Sequence, residues 1–119
     1  MITRNGSVQG PDRPKPMGQN VAKAVASAAL STGKAYFTRH IRERMEKRNF
    51  DGNDVKFVID NGDYGKFPPE WDERCGHYKY SAVGPDLQGR RLMVVFMIEE
   101  NASKIIFVTG LRYSKGKPV

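Results

Sequence analysis

Three residues spaced four apart, His40, Arg44 and Arg48, offer the most concentrated chemistry in this sequence. On a helix, side chains four apart lie one above another, so the three form a ladder about three turns long. An imidazole exchanges protons near neutral pH, and a guanidinium holds a phosphate through two parallel hydrogen bonds. Those are parts for cleaving RNA without a metal. A base takes the ribose 2′-OH proton, cations hold the charge developing on phosphorus, and an acid protonates the leaving oxygen. On this reading His40 is the base and Arg44 and Arg48 clamp the phosphate. Thr109 and Arg112 support the clamp from the last long strand, and Lys79 or Tyr113 supplies the acid. Around the ladder, Arg39, Arg42 and Lys47 add charge, and Arg112, Lys115 and Lys117 form a second cluster at the end of the chain. Clustered cations of this kind suit a polyanion such as RNA. The plainer alternative is a solvated helix face, with His40 at a core edge and the arginines paired to Glu43 and Glu46.

The elements that must position these groups read as helices first and strands afterwards. Residues 1–19, rich in Pro and Gly, read as an irregular, flexible arm. An alanine-rich helix follows over 20–34, with Asn20 as its cap. A single domain is expected over 35–119. Its first helix runs from Ala35 to Arg48 and buries Phe37, Ile41 and Met45. A further helix covers Asp54 to Asp60 and stops at Gly62. Strands are expected at Tyr64–Phe67, His77–Val83, Arg91–Ile98 and Lys104–Leu111, with Glu70–Gly76 as a polar loop. Tyr78, Tyr80 and Ala82 share one face of their strand, and His77, Lys79 and Ser81 the other. The last three strands, joined by short links, suggest an antiparallel meander. The fold class is therefore α+β, with N-terminal helices packed on a small antiparallel sheet of about four strands.

Composition sets bounds on the alternatives. The chain has 119 residues, 39% hydrophobic and 28% charged, as expected for one globular domain. The net charge is +7, of which residues 1–35 carry +4 with Asp12 as their one acid. One cysteine, Cys75, excludes an internal disulfide and a multi-cysteine zinc site, and two histidines make a histidine-rich metal centre implausible. No cofactor or metal is expected. No apolar run approaches the roughly 20 residues of a spanning helix, and no signal-peptide pattern opens the chain. A cytoplasmic protein without membrane association is expected.

From Phe37 to about Tyr113 the sequence resembles a small bacterial family, the domain of unknown function 4258. A Thr-x-His-x-x-x-Arg-Met-x-x-Arg helix is matched by Thr38, His40, Arg44, Met45 and Arg48. An Asp-Val helix start is matched by Asp54-Val55, a Gly-acid step by Gly62-Asp63, and a closing threonine by Thr109. That family looks like a branch of the toxin-nuclease superfold that includes barnase-like and RelE-like ribonucleases. The resemblance implies two helices on a four-stranded antiparallel sheet. It also implies metal-independent endoribonuclease activity, a toxin role, and a cognate antitoxin or immunity protein. His40, Arg44 and Arg48 would then line the active face, with Thr109 opposite. The rival expectation is a non-catalytic accessory module that docks nucleic acid or protein through the same basic ladder.

Overall fold

The computed structural model describes residues 13–99, 104–114 and 117–118, with side chains described as far as Arg112. Residues 1–12 of the expected arm and Lys115 lie outside the described residues, as do the side chains of Tyr113 and Lys117. The elements run α1 (Gln19–Thr32), β1 (Ala35–Phe37), α2 (Arg39–Arg48), α3 (Gly52–Asn61), β2 (Glu70–Asp72), β3 (His77–Pro85), β4 (Arg91–Ile98), β5 (Ile105–Ser114) and β6 (Lys117–Pro118). This is an α+β fold. Five strands in the order β1-β5-β4-β3-β2 form a mixed sheet, and β6 adds a short pairing to β5.

Alternation along the strands decides which sheet face the helices cover. Tyr80, Ala82, Leu92, Val94, Phe96, Ile105 and Phe107 pack in one core with Ala22, Ala26 and Ala29 of α1, Ile41 of α2, and Val55, Val58 and Ile59 of α3. Register then aligns an aromatic row across four strands. Phe37 stacks on Phe107 at 5.1 Å, Phe107 meets Phe96 at 5.7 Å, and Phe96 stacks on Tyr80 at 5.6 Å. Such pairs add about 0.5–1.5 kcal/mol each beyond the area they bury. The small alanines of α1 let that helix approach the row closely, and its C-terminus is closed by Gly33 in the left-handed region at φ 78°.

The structure corrects several sequence expectations. The sheet has five strands rather than four and is mixed rather than antiparallel, because β1 pairs with β5 in parallel. The expected helix from Ala35 divides: Ala35–Phe37 is a strand and α2 starts at Arg39. The apolar spacing of Phe37, Ile41 and Met45 suited a helix, but the ladder to Ile105–Phe107 satisfies the backbone of the first three residues instead. Tyr64–Phe67 is not a strand. Asp63 makes an isolated bridge to Val83, and the strand forms beyond Pro68-Pro69 as β2, within the segment that read as a loop. Proline has no N–H to donate, so pairing resumes after it. The N-cap of α1 is Gly18 rather than Asn20.

Candidate nucleic-acid interface

Helix α2 is held at both ends, and that determines what its cations can do. At its start the sheet carries a bulge. Val95 faces Thr109 and Phe96 faces Phe107, so Val108 is left over. The spare Val108 carbonyl accepts a hydrogen bond from the Thr38 hydroxyl at 2.9 Å. The same hydroxyl oxygen caps α2 by accepting from the Ile41 N–H at 3.2 Å. Thr38 thus fastens the helix N-terminus to β5 two residues before His40. Ile41 is fully buried beneath, which turns His40 outward.

At the other end the guanidinium of Arg112 is saturated. Its Nε and Nη2 donate to the Arg48 carbonyl at 3.1 and 3.0 Å, and Nη2 also donates to the Asn49 carbonyl at 2.9 Å. Its Nη1 donates to Asp86 Oδ2 at 2.7 Å and to the Arg91 carbonyl at 3.4 Å. Asp86, whose side chain is 0% exposed, also accepts from the N–H groups of Gln88 and Arg90. Burial pushes its carboxyl up, but Arg112 and the two backbone donors outweigh this and hold it below the usual carboxylate range. Next to the knot, the Phe50 ring occupies the space a Cβ on Gly110 would need. Arg112, expected to bind phosphate, is therefore committed to closing the end of α2.

The remaining expected residues divide between two places. His40 is exposed, and Arg44 Nε donates to its Nε2 at 3.5 Å, the outer limit of a hydrogen bond. Arg39, Arg42 and Lys47 are exposed on the same helix. Arg39 lies 3.7 Å from Glu43, while Arg42 and Lys47 make no ion pair among the described residues. The expected pairing of the arginines with Glu46 does not form among them either. Arg48 is half-buried, and its Nε is buried without a hydrogen-bond partner. At the helix start no acidic residue occupies the first turn, and the Ile41 N–H is taken by the Thr38 hydroxyl.

Lys79 stands elsewhere. It lies on the sheet face turned away from the helices, where with Ser81, Met93 and Val95 it lines a pocket of about 140 Å³. Its ammonium pairs with Asp72 at 3.1 Å. That bond and the Cys75 and Arg74 N–H groups keep the Asp72 carboxyl below its ordinary range. Lys79 cannot serve His40 as a partner acid, because the sheet separates them. Thr109 pairs in register with Val95 on that same face, and its Oγ1 is buried with no hydrogen-bond partner. Cys75 is exposed, and no cluster of three metal-ligating side chains occurs among the described residues.

Sequence reasoning missed Thr38 as the group that positions His40, and Asp86 as the acceptor that engages Arg112. Signals for both were present. A threonine three residues before a buried isoleucine is an N-cap pattern, and Asp86 opens a Gly-rich turn in which an aspartate bonds the backbone ahead of it.

Residues 37–109 match the family described as Domain of unknown function (DUF4258), and the chain belongs to that family. No curated protein matches the chain, and no solved structure does. Among the described residues, no helix is long and apolar enough to cross a membrane.

Proposed function

We propose that this protein is a metal-independent endoribonuclease of the toxin type, built on a fold related to barnase-like and RelE-like nucleases and restrained by a cognate antitoxin or immunity protein. The observation that carries the reading is the exposed His40 with the half-buried Arg44 beside it in the first half of α2. Helix N-termini favour anions by about 0.3–1 kcal/mol at exposed sites, and free N–H groups suit phosphate oxygens. A phosphodiester placed at His40 meets Arg44 on the same side of the helix, and the exposed Arg42 and Lys47, which make no ion pair among the described residues, add positive charge elsewhere along α2. To act as base, His40 exchanges the Arg44 N–H for the substrate 2′-OH at Nε2, and the released guanidinium turns to the phosphate. Arg48 sits deeper and supports the local charge.

The second reading, a non-catalytic module that holds RNA on the same stripe, is favoured by one specific observation. Lys79, one of the two residues expected to supply the acid, lies across the sheet and does not reach His40. The two readings separate in one assay. In buffer containing EDTA, the wild-type chain cleaves RNA, and His40→Ala reduces the rate by about 10²–10⁴-fold with unchanged circular dichroism. Equal cleavage by both proteins sinks the base assignment. Salt-sensitive binding with the RNA intact establishes the module instead.

A further inference from the structure

At the β2 edge of the sheet, on the face the helices cover, the segment before α1 lies along a row of aromatic rings. Its sequence, Arg13-Pro14-Lys15-Pro16-Met17, alternates with proline, which fixes its own φ and biases the preceding residue toward extended backbone. The Tyr78 hydroxyl donates to the Pro14 carbonyl at 2.8 Å, and the Met17 N–H donates to the Tyr80 hydroxyl at 3.1 Å. Arg13 lies 5.8 Å from the centroid of Trp71 and pairs with Glu73 at 2.7 Å. Trp71 meets Tyr78 edge-on at 5.0 Å, and Tyr78 lies 6.4 Å from Tyr80, so the three rings form a continuous strip. Aromatic strips with hydroxyl donors, flanked by an acid, suit proline-rich peptides. The peptide is already extended and loses little entropy on docking, its carbonyls are free to accept, and its basic residue finds the carboxylate.

The segment of this chain fills only part of the groove. At Gly18 the backbone turns into α1, and beside Pro16, Met17 and Gly18 a cavity of about 400 Å³ adjoins Tyr80 at the end of the aromatic strip. Gln19, Tyr64, Phe67, Pro68, Pro69 and Tyr80 contribute to its walls, and no charged side chain is among the described residues that line it. A peptide not joined to α1 can run on into that space.

From this juxtaposition of the Trp71–Tyr78–Tyr80 strip with the uncharged cavity beyond it, we propose a docking site for a proline-rich peptide segment of a partner protein. The fitting sequence has an arginine before its first proline and a large apolar residue after the position taken by Met17. The segment 13–17 occupies the site in cis and competes with the partner. The proposal is independent of RNA cleavage, and a chain inactivated at His40 retains it.

Trp71 is the single tryptophan of the chain and reports directly on the site. The probe is the end-blocked hexapeptide Arg-Pro-Lys-Pro-Met-Phe, titrated against the full-length chain. Carrying Arg13→Ala and Pro14→Ala, the chain should bind it with a saturable change in Trp71 emission and a Kd at least fivefold lower than the unaltered chain, because its tethered competitor is weakened. Adding Tyr78→Phe should raise that Kd about fivefold, the loss of one hydrogen bond. Replacing the terminal Phe of the probe by Ser should weaken binding to a similar degree. Equal Kd values for the two chains, equal binding by a probe with both prolines changed to Ala, or a titration that never saturates would each overturn the proposal. If the altered chain does not fold, millimolar peptide is added to the unaltered chain, where the Trp71 indole N–H resonance should move. A stationary resonance overturns the proposal.

Discussion

At the N-terminal end of α2, Arg39, His40 and Arg42 are all exposed, and Arg39 makes one long ion pair to Glu43. At its C-terminal end Arg112, on β5, has every N–H directed to a protein acceptor, and its carboxylate partner Asp86 is wholly buried. The arginine side chains are chemically identical, and their roles differ because of the acceptors around them. The end of a helix supplies free carbonyls and the start supplies free N–H groups. Arg112 is consumed by the backbone carbonyls at the end of α2, whereas Arg39, Arg42 and Lys47 on the outside of the helix remain available to an anion. The acceptors within reach thus divide a basic surface into a structural part and an open part.

The contrast can be broken most strongly at Arg112. Arg112→Ala leaves Asp86 buried without its cation and the last carbonyls of α2 without donors. A loss of about 3–5 kcal/mol is expected from removing one partner of a buried pair, read as a fall in the urea midpoint. His40→Ala on the exposed end should change stability by no more than about 0.5 kcal/mol. Comparable losses at both sites would abolish the distinction.

Thr38→Ala tests the tether between the open end and the sheet. About 1 kcal/mol of stability should be lost with the cap. If cleavage occurs at His40, its rate should fall as well, because the bond to the Val108 carbonyl disappears together with the cap. Thr38→Ser keeps the hydroxyl and should restore most of both. Failure of serine to rescue would locate the effect in the methyl group rather than the hydroxyl.

Acid sharpens the same comparison. The Asp86 carboxyl titrates below its unfolded value of about 3.9. A depressed folded pKa means the stabilisation is fully present above about pH 4 and is lost as pH falls through the folded value. Urea unfolding of the wild type should therefore weaken below about pH 4. In Asp86→Asn this part of the acid-limb slope should be reduced, and an unaltered slope would remove Asp86 from the account.

The smallest effect on folding belongs to the open stripe. Arg39→Ala, Arg42→Ala and Lys47→Ala together should leave the unfolding midpoint nearly unchanged. If the stripe neutralises RNA phosphates, the dependence of log affinity on log salt should flatten by about 2, since each phosphate neutralised on a single strand contributes roughly 0.7 to that slope. An unchanged salt slope would show that these cations face no polyanion.

Several elements were open to reading from the sequence. The helices around Val25, Met45 and Val58, the strands β3, β4 and most of β5, and the clustering of cations on α2 all follow from local periodicity and composition. These signals are local because side-chain alternation and helical spacing are properties of a few neighbouring residues. The α+β class and the outward position of His40 were within reach for the same reason.

Only the tertiary structure decided the rest. Ala35–Phe37 became a strand because β5 lay alongside it, β2 formed at an edge whose polar residues gave no strand pattern, and Lys79 ended on the face opposite His40 through the register of β3. The capture of Arg112 needed Asp86 and the carbonyls of Arg48 and Asn49, groups distant in the chain. Residue type and spacing determine what a side chain can do and which way it leaves its own element. Which partner reaches it first depends on the packing of segments many residues apart, and that packing exists only once the chain has closed around its core.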